Sequence, residues 1–230
     1  MNTFFDINPG WMYFCIVFGA MLLISFIMNQ QSKKFYTLHV FMRKFSMIDL
    51  ESPASPLELA TYINGIFKLP QDLSKKCLNA LKGNIYLSFL FAPLAYGSVF
   101  LLCIKISMQL TSVGHYLFAI LAWVQIIPLL CDIIEKIYLL KKIHPDVDPS
   151  QLSIHVAYQI IGIIKWSFTL IAIVLCISTI FYFWITGKFS DNSIHYLLIT
   201  IGEIILFFIL KKATSKIGNV NLRSYQNICN

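Results

Sequence analysis

"LLCDIIEKIYLLKK", residues 129–142, sets two acids, Asp132 and Glu135, one helical turn apart in a stretch that is otherwise mostly apolar until its closing lysines. Residues three apart on a helix are surface neighbours, so both acids belong to one face. Upstream, "HYLFAILAWVQIIP" carries the apolar run back to His115. At ~1.5 Å of rise per residue, ~20 residues cross a ~30 Å hydrocarbon core, and this run is longer than that. An ionised side chain facing lipid at the centre of such a helix costs about 2.5–3.5 kcal/mol. The fold and the function both turn on where those acids point.

The rest of the chain reads the same way. Its 230 residues are 57% hydrophobic and 13% charged, with a mean hydropathy of +0.71. Soluble domains are about 45–50% apolar and about 25% charged, so the composition belongs to a bilayer protein. Besides residues 115–140, four runs are long enough to span: 11–28, 84–106, 156–185 and 195–210, the last only just. The first does not read as a cleaved signal peptide, because no base precedes it and "NQQSKK" offers no small-residue cleavage site. No internal repeat or linker divides the chain, which reads as a single all-α domain, a polytopic helical bundle over residues 1–230.

Basic residues follow these runs. None precedes the first; eight, from Lys33 to Lys82, lie between the first and second. The next link has only Lys105 at its edge, the third run ends in Lys136, Lys141 and Lys142, and the last link holds only Lys188. The tail carries Lys211, Lys212, Lys216 and Arg223. Alternation between poor and rich fits five crossings, with the N-terminus outside and the C-terminus cytoplasmic. The net charge of +7 is thereby read as a topology signal and as contacts to lipid headgroups, so membrane lipids are the expected partners and nucleic acid is not.

The loop from 29 to 83 is the one sizeable cytoplasmic piece. In "KKFYTLHVFMRKF" the apolar residues Phe35, Leu38, Phe41, Met42 and Phe45 stand at helical spacing between bases, which predicts an amphipathic helix, either lying in the membrane interface or packed on the cytoplasmic end of the bundle. Ser55, Pro56 and Glu58 form a capping signature for a short helix over residues 56–67. Leu73, Cys77, Leu78 and Leu81 then share a face that leads into the second span.

Placing ionisable residues by depth brings out a layer. Asp132, Lys165 and Glu203 each lie about eight to ten residues from the cytoplasmic end of their helix, ~12–15 Å inward. Glu135 sits one turn nearer the cytoplasm. Turned inward, the Lys165 ammonium would stand between the carboxylates of Asp132, Glu135 and Glu203. Three acids against one base leave an excess that a proton, a cation or a water-filled cavity must offset. Tyr96, Gln125 and Gln159 are candidate neighbours of this layer. Asp49 and Glu51 form a secondary acidic pair in the cytoplasmic loop. Six scattered cysteines without a C-x-x-C pair, and five histidines without i, i+4 pairing, imply neither a metal nor a cofactor.

"FSMIDLE", "APLAYG", "CDIIEK" and "GIIKW" together resemble a family of small, uncharacterised bacterial membrane proteins with an acidic D-x-E loop, a tyrosine-bearing span, a D-x-x-E-N-type helix and a following span with a lysine. The resemblance marks Asp49, Glu51, Tyr96, Asp132, Glu135 and Lys165, and implies a multi-pass protein of the bacterial inner membrane with no established activity. Lys136 stands where the family has Asn, and Ser88 where an acid is expected.

Three functions compete. The layer binds a proton, cation or small polar ligand, as in a transporter or channel-like component, for which five spans would need homo-oligomerisation. Alternatively Asp132 or Glu135 is the acid/base of an enzyme acting on lipid, although no Ser elbow or His/Asp box accompanies them. In the third reading the ion pairs only order a scaffold or assembly factor.

Overall fold

The computed structural model describes residues 10–38, 42–187 and 191–226, with side chains over 195–212 in the last segment. Eight helices and one hairpin follow in the order α1 (Trp11–Ser32), β1 (Tyr36–Leu38), β2 (Met42–Lys44), α2 (Met47–Glu51), α3 (Pro56–Phe67), α4 (Gln71–Gln109), α5 (Val113–Val124), α6 (Ile126–Lys142), α7 (Leu152–Ile185) and α8 (Asp191–Gln226). Among the described residues, α1, α4, the α5–α6 pair and α7 are long and apolar enough to cross a membrane. They contain the first four expected runs. The fifth lies within α8, which is not one of these four.

The helices leave much apolar surface outward. At most 33% of any spanning window is buried inside the molecule. Along α7, Ile163, Leu170, Ile177 and Trp184 recur every seven residues, each more than half exposed. Such a stripe would be an association hazard in water and is an ordinary lipid-facing surface in a bilayer.

α1 runs antiparallel to α4: Asn84 Nδ2 donates to the Met28 carbonyl at 2.9 Å, and Ser98 meets Met21 further along. It runs parallel to α8, with Cys15 against Tyr196 and Thr200 and Gly19 against Glu203.

Pro128 explains the break between α5 and α6. It has no N–H for the ladder, and just before it the chain tightens so that Gln125 N bonds the Ala122 carbonyl at 3.0 Å. The Leu121 carbonyl, which Gln125 N would otherwise reach, accepts from the buried Gln125 side chain at 3.3 Å.

The expected amphipathic helix over 35–45 is absent: the described residues there form the β1–β2 hairpin, pairing Tyr36 with Lys44 and Leu38 with Met42. Phe35 and Thr37 are buried while Tyr36 and Leu38 are only partly so, a period of two rather than 3.6. Phe35 stacks on Phe45 across the base of the hairpin, ring centroids 5.4 Å apart. The Thr37 hydroxyl donates to the Tyr62 carbonyl at 3.0 Å, which fixes β1 on α3.

The helix predicted from Ser55 is present as α3, with Ser55 Oγ accepting from Glu58 N at 3.2 Å. Its core residues Leu59, Ile63 and Ile66 pack with Leu81, Ile85, Leu139 and Tyr158, joining the loop elements to one end of the bundle. Asn64 clamps the α6–α7 loop through paired hydrogen bonds with Val147, 2.9 and 2.8 Å. A second core nearer the other end gathers Val99, Ile104, Phe118 and Phe183 around Cys103 and Cys176, whose sulfurs lie 3.4 Å apart.

Candidate functional site

A buried cluster of charges joins α2, α6 and α7. On α6, Asp132, Glu135 and Lys136 stand at i, i+3 and i+4, one face of the helix. Lys165 faces them from α7, its Nζ 2.9 Å from Asp132 Oδ1 and hydrogen-bonded to Glu135 Oε2. Glu51, the last residue of α2, reaches both lysines: its Oε1 pairs with Lys136, and its Oε2 lies 3.5 Å from Lys165 Nζ. Lys136 Nζ is also 3.8 Å from Asp132 Oδ1. Glu135 is 1% exposed, Lys136 and Lys165 3% each, and Asp132 7%. Lys165 also lies over the Trp166 ring, 5.7 Å from its centroid.

α2 positions Glu51 through local chemistry. Ser46 caps the helix, its Oγ accepting from Asp49 N at 3.3 Å while the Asp49 carboxylate accepts from Ser46 N at 2.7 Å. The buried Leu50 side chain anchors α2 in the loop-end core. Two side chains of α7 then strap the segment down: the Tyr158 hydroxyl donates to the Leu50 carbonyl at 3.2 Å, and Gln159 Nε2 to the Pro53 carbonyl at 3.3 Å.

The cluster therefore differs from the layer expected from counting residues. Asp132, Glu135 and Lys165 meet. Glu203 does not join them; it sits against Gly19 of α1, with its Oε2 buried and unpartnered. α8 packs on α1, and Glu203 accordingly meets α1 and not α6. Gln125 is taken up by the α5–α6 break and Gln159 by the strap, so neither enters the cluster. Asp49 and Glu51 do not act as a pair: in a helix, residues two apart diverge, and Asp49 serves as a cap.

Two members carried weak signals. By sequence Lys136 reads as a partner of Glu135 or a base reaching for the headgroups, whereas its side chain turns inward to Glu51 and Asp132. Glu51 could be placed only once α2 was docked on α7. With these two, three carboxyls face two ammonium groups, leaving one formal negative charge, 2 − 3 = −1. Glu135 Oε1 has no hydrogen-bond partner and lies toward Gly162, where an added Cβ would stand 3.8 Å away.

One side of the cluster opens on a cavity of about 790 Å³ among α1, α2, α4, α6, α7 and α8. Glu51, Asp132, Lys136 and Lys165 line one end of it, together with Asn84 and Ser88 of α4, and Tyr96 stands further along the same wall. Asn84 is 2% exposed and its Oδ1 has no partner. The other end is mostly apolar, with Phe14 and Phe18 of α1, Val99 and Leu102 of α4, and Ile173 and Ile177 of α7, beside the hydroxyls of Ser98 and Thr200. Among the described residues, no group of three or more His, Cys, Asp and Glu is arranged to hold a metal ion.

Comparison of the chain with protein-family models, curated proteins and solved structures finds no match.

Proposed function

We propose that this chain is a multi-pass protein of the bacterial inner membrane whose buried carboxylate–lysine cluster binds a proton, a cation or a small polar ligand, as part of a transporter or channel-like assembly. The single observation that carries this reading is the cluster's open face: four of its five charged side chains line a cavity, and with the fifth, Glu135, which is hydrogen-bonded to Lys165, the cluster's carboxyls outnumber its ammonium groups. A clamp that only joined helices would be closed by its own partners. Buried ion pairs contribute little net stability compared with apolar packing, which makes a purely structural account of five such residues less economical. The membrane address rests on the resemblance of the acidic and lysine motifs.

Five crossings, with the N-terminus outside, are part of the same proposal. They are supported by α8 running alongside α1 in the same direction, since a helix lying flat on the membrane surface would not follow a spanning helix through its depth.

The test compares the triple variant Asp132→Asn/Glu135→Gln/Lys165→Met with the parent. Because Lys165 is the partner of Glu135 as well as of Asp132, changing all three leaves no buried carboxylate stranded, and the variant should remain folded. The parent's melting temperature should rise with a monovalent cation or a short amine from a panel, or its acid–base titration should differ from the variant's, and the variant should lose that response. A parent indifferent to the whole panel, with a titration that overlays the variant's, would reduce the cluster to a clamp, as expected for a scaffold.

A further inference from the structure

The cavity is polar at one end along three helices at once. On α1 the lining changes from Phe14, Phe18 and Met21 to Ser25, Asn29 and Ser32. On α4 it changes in the opposite sequence direction, from Asn84 and Ser88 to Val99 and Leu102, as antiparallel packing requires. On α7 it passes from Lys165 to Ile173, Ile177 and Ile180. A site for a compact ion would need only the first half of this arrangement. Its volume of about 790 Å³ falls within the ~300–1,000 Å³ typical of pockets for whole organic ligands.

The polar end has a definite deficit. The lining carboxyls of Glu51 and Asp132 are matched by Lys136 and Lys165, but Glu135, held on Lys165 just outside the lining, leaves the cluster with one carboxyl in excess, and the buried Asn84 Oδ1 is an acceptor without a donor. Both deficits are answered by a cationic group that donates hydrogen bonds. A primary ammonium has three N–H donors; a trimethylammonium has the charge but no donor, and a glycerol head has donors but no charge. The open side faces lipid: α8 packs chiefly on α1 and α7 on α4 and α6, while Trp166 and Ile177 on the α7 wall are more than half exposed. Entry from the bilayer is therefore lateral.

From these features we infer that the cavity holds a bilayer lipid bearing a primary ammonium headgroup, with the ammonium at Glu51, Asp132 and Asn84 and an acyl chain between Phe18, Val99 and Ile173. This rests on the proposed function and names the ligand class of that same site. The aromatic and aliphatic end supplies affinity through buried apolar surface, and the acidic end selects the head.

The experiment uses the full chain purified in maltoside detergent, with binding read by native mass spectrometry. The probes are lysophosphatidylethanolamine, lysophosphatidylcholine and lysophosphatidylglycerol with one common acyl chain, and ethanolamine as the tail-less control. All three lipids carry the same phosphate, so differences among them report the head's charge and donors. The ethanolamine lipid is expected to bind about tenfold or more tightly than either of the others, with ethanolamine far weaker. Glu51→Gln should erase the preference among heads. Ile173→Trp, or Val99→Phe if the first does not fold, should weaken binding of the ethanolamine lipid while leaving the melting response to small cations intact. Equal or tighter binding of the choline or glycerol lipid, or undiminished binding in both cavity-filling variants, would overturn the inference. If lipid selectivity fails while the small-cation response persists, only the ligand class is wrong; if both are missing, the ligand site itself is wrong.

Discussion

Lys165 faces three carboxyls, those of Asp132, Glu135 and Glu51, and is 3% exposed. Lys136 faces two, one of them on Glu51, whose side chain is 14% exposed. Removing one partner of a buried charge pair strands the other and costs about 3–5 kcal/mol. Lys165→Met should therefore be the more damaging single change, and Lys136→Met should fall below that range because water reaches Glu51. Thermal unfolding of the two purified variants checks the order; a reversed order would mean that Glu51 and Lys136 form the centre of the cluster. Asp132, Glu135 and Lys165 were readable from sequence because each lies mid-helix in an apolar run, where a charge has few places to go. Glu203 satisfies the same condition and still goes elsewhere. Depth along a helix is written in the sequence, but the azimuth of one helix about another depends on packing, here α8 against α1.

At the scale of elements, the loop end was legible where local chemistry decides the structure. Ser55, Pro56 and Glu58 specify a helix start whatever surrounds them, and Ser55→Ala should cost about 1 kcal/mol through loss of the cap. The hairpin was not legible, because "FYTL" and "MRKF" satisfy a helical and an alternating pattern equally well over so few residues. What selects the strand is a surface the sequence does not display: the α3 face at Tyr62 and Gly65. A Cβ added at Gly65 would collide with Thr37 Oγ1 and stand 2.9 Å from the Leu38 carbonyl oxygen, which is backbone and cannot rotate away. Gly65→Ala should thus separate β1 from α3 and destabilise by about 1–3 kcal/mol. Faster amide exchange confined to the hairpin and α3 would locate the damage, and an unchanged exchange pattern would contradict the close approach. The same helix carries a pH dependence. Burial first, and then the Glu58 carboxylate, push the Tyr62 phenol above its usual range. A group that holds its proton more tightly when folded adds stability below its unfolded pKa, about 10, and loses it as pH rises through the folded value. Tyr62→Phe should flatten that alkaline loss while leaving the neutral-pH profile unchanged in shape.

For the whole molecule, the question is how many times the chain crosses, and it reduces to α8. Four helical stretches meet the length and hydropathy of a span, so without α8 both ends of the bundle's sequence would lie on one side. Two observations favour a fifth crossing. Bases are sparse before α8 and dense at its far end, as they are around α1. α8 also keeps register with α1 over a full helical turn, from Cys15 and Thr200 to Gly19 and Glu203, running in the same direction. Two parallel spanning helices must be separated by an odd number of crossings, and α4, α5–α6 and α7 supply three. Single cysteines at Lys34, Thr111 and Lys212, all exposed, in a background with the native cysteines replaced, turn this into a measurement with a membrane-impermeant thiol reagent. Thr111→Cys should react in intact cells, whereas Lys34→Cys and Lys212→Cys should react only after permeabilisation. Labelling of Lys212→Cys on the same side as Thr111→Cys would mean that α8 does not cross. The parallel contact with α1, and with it one wall of the cavity, would then need a different explanation.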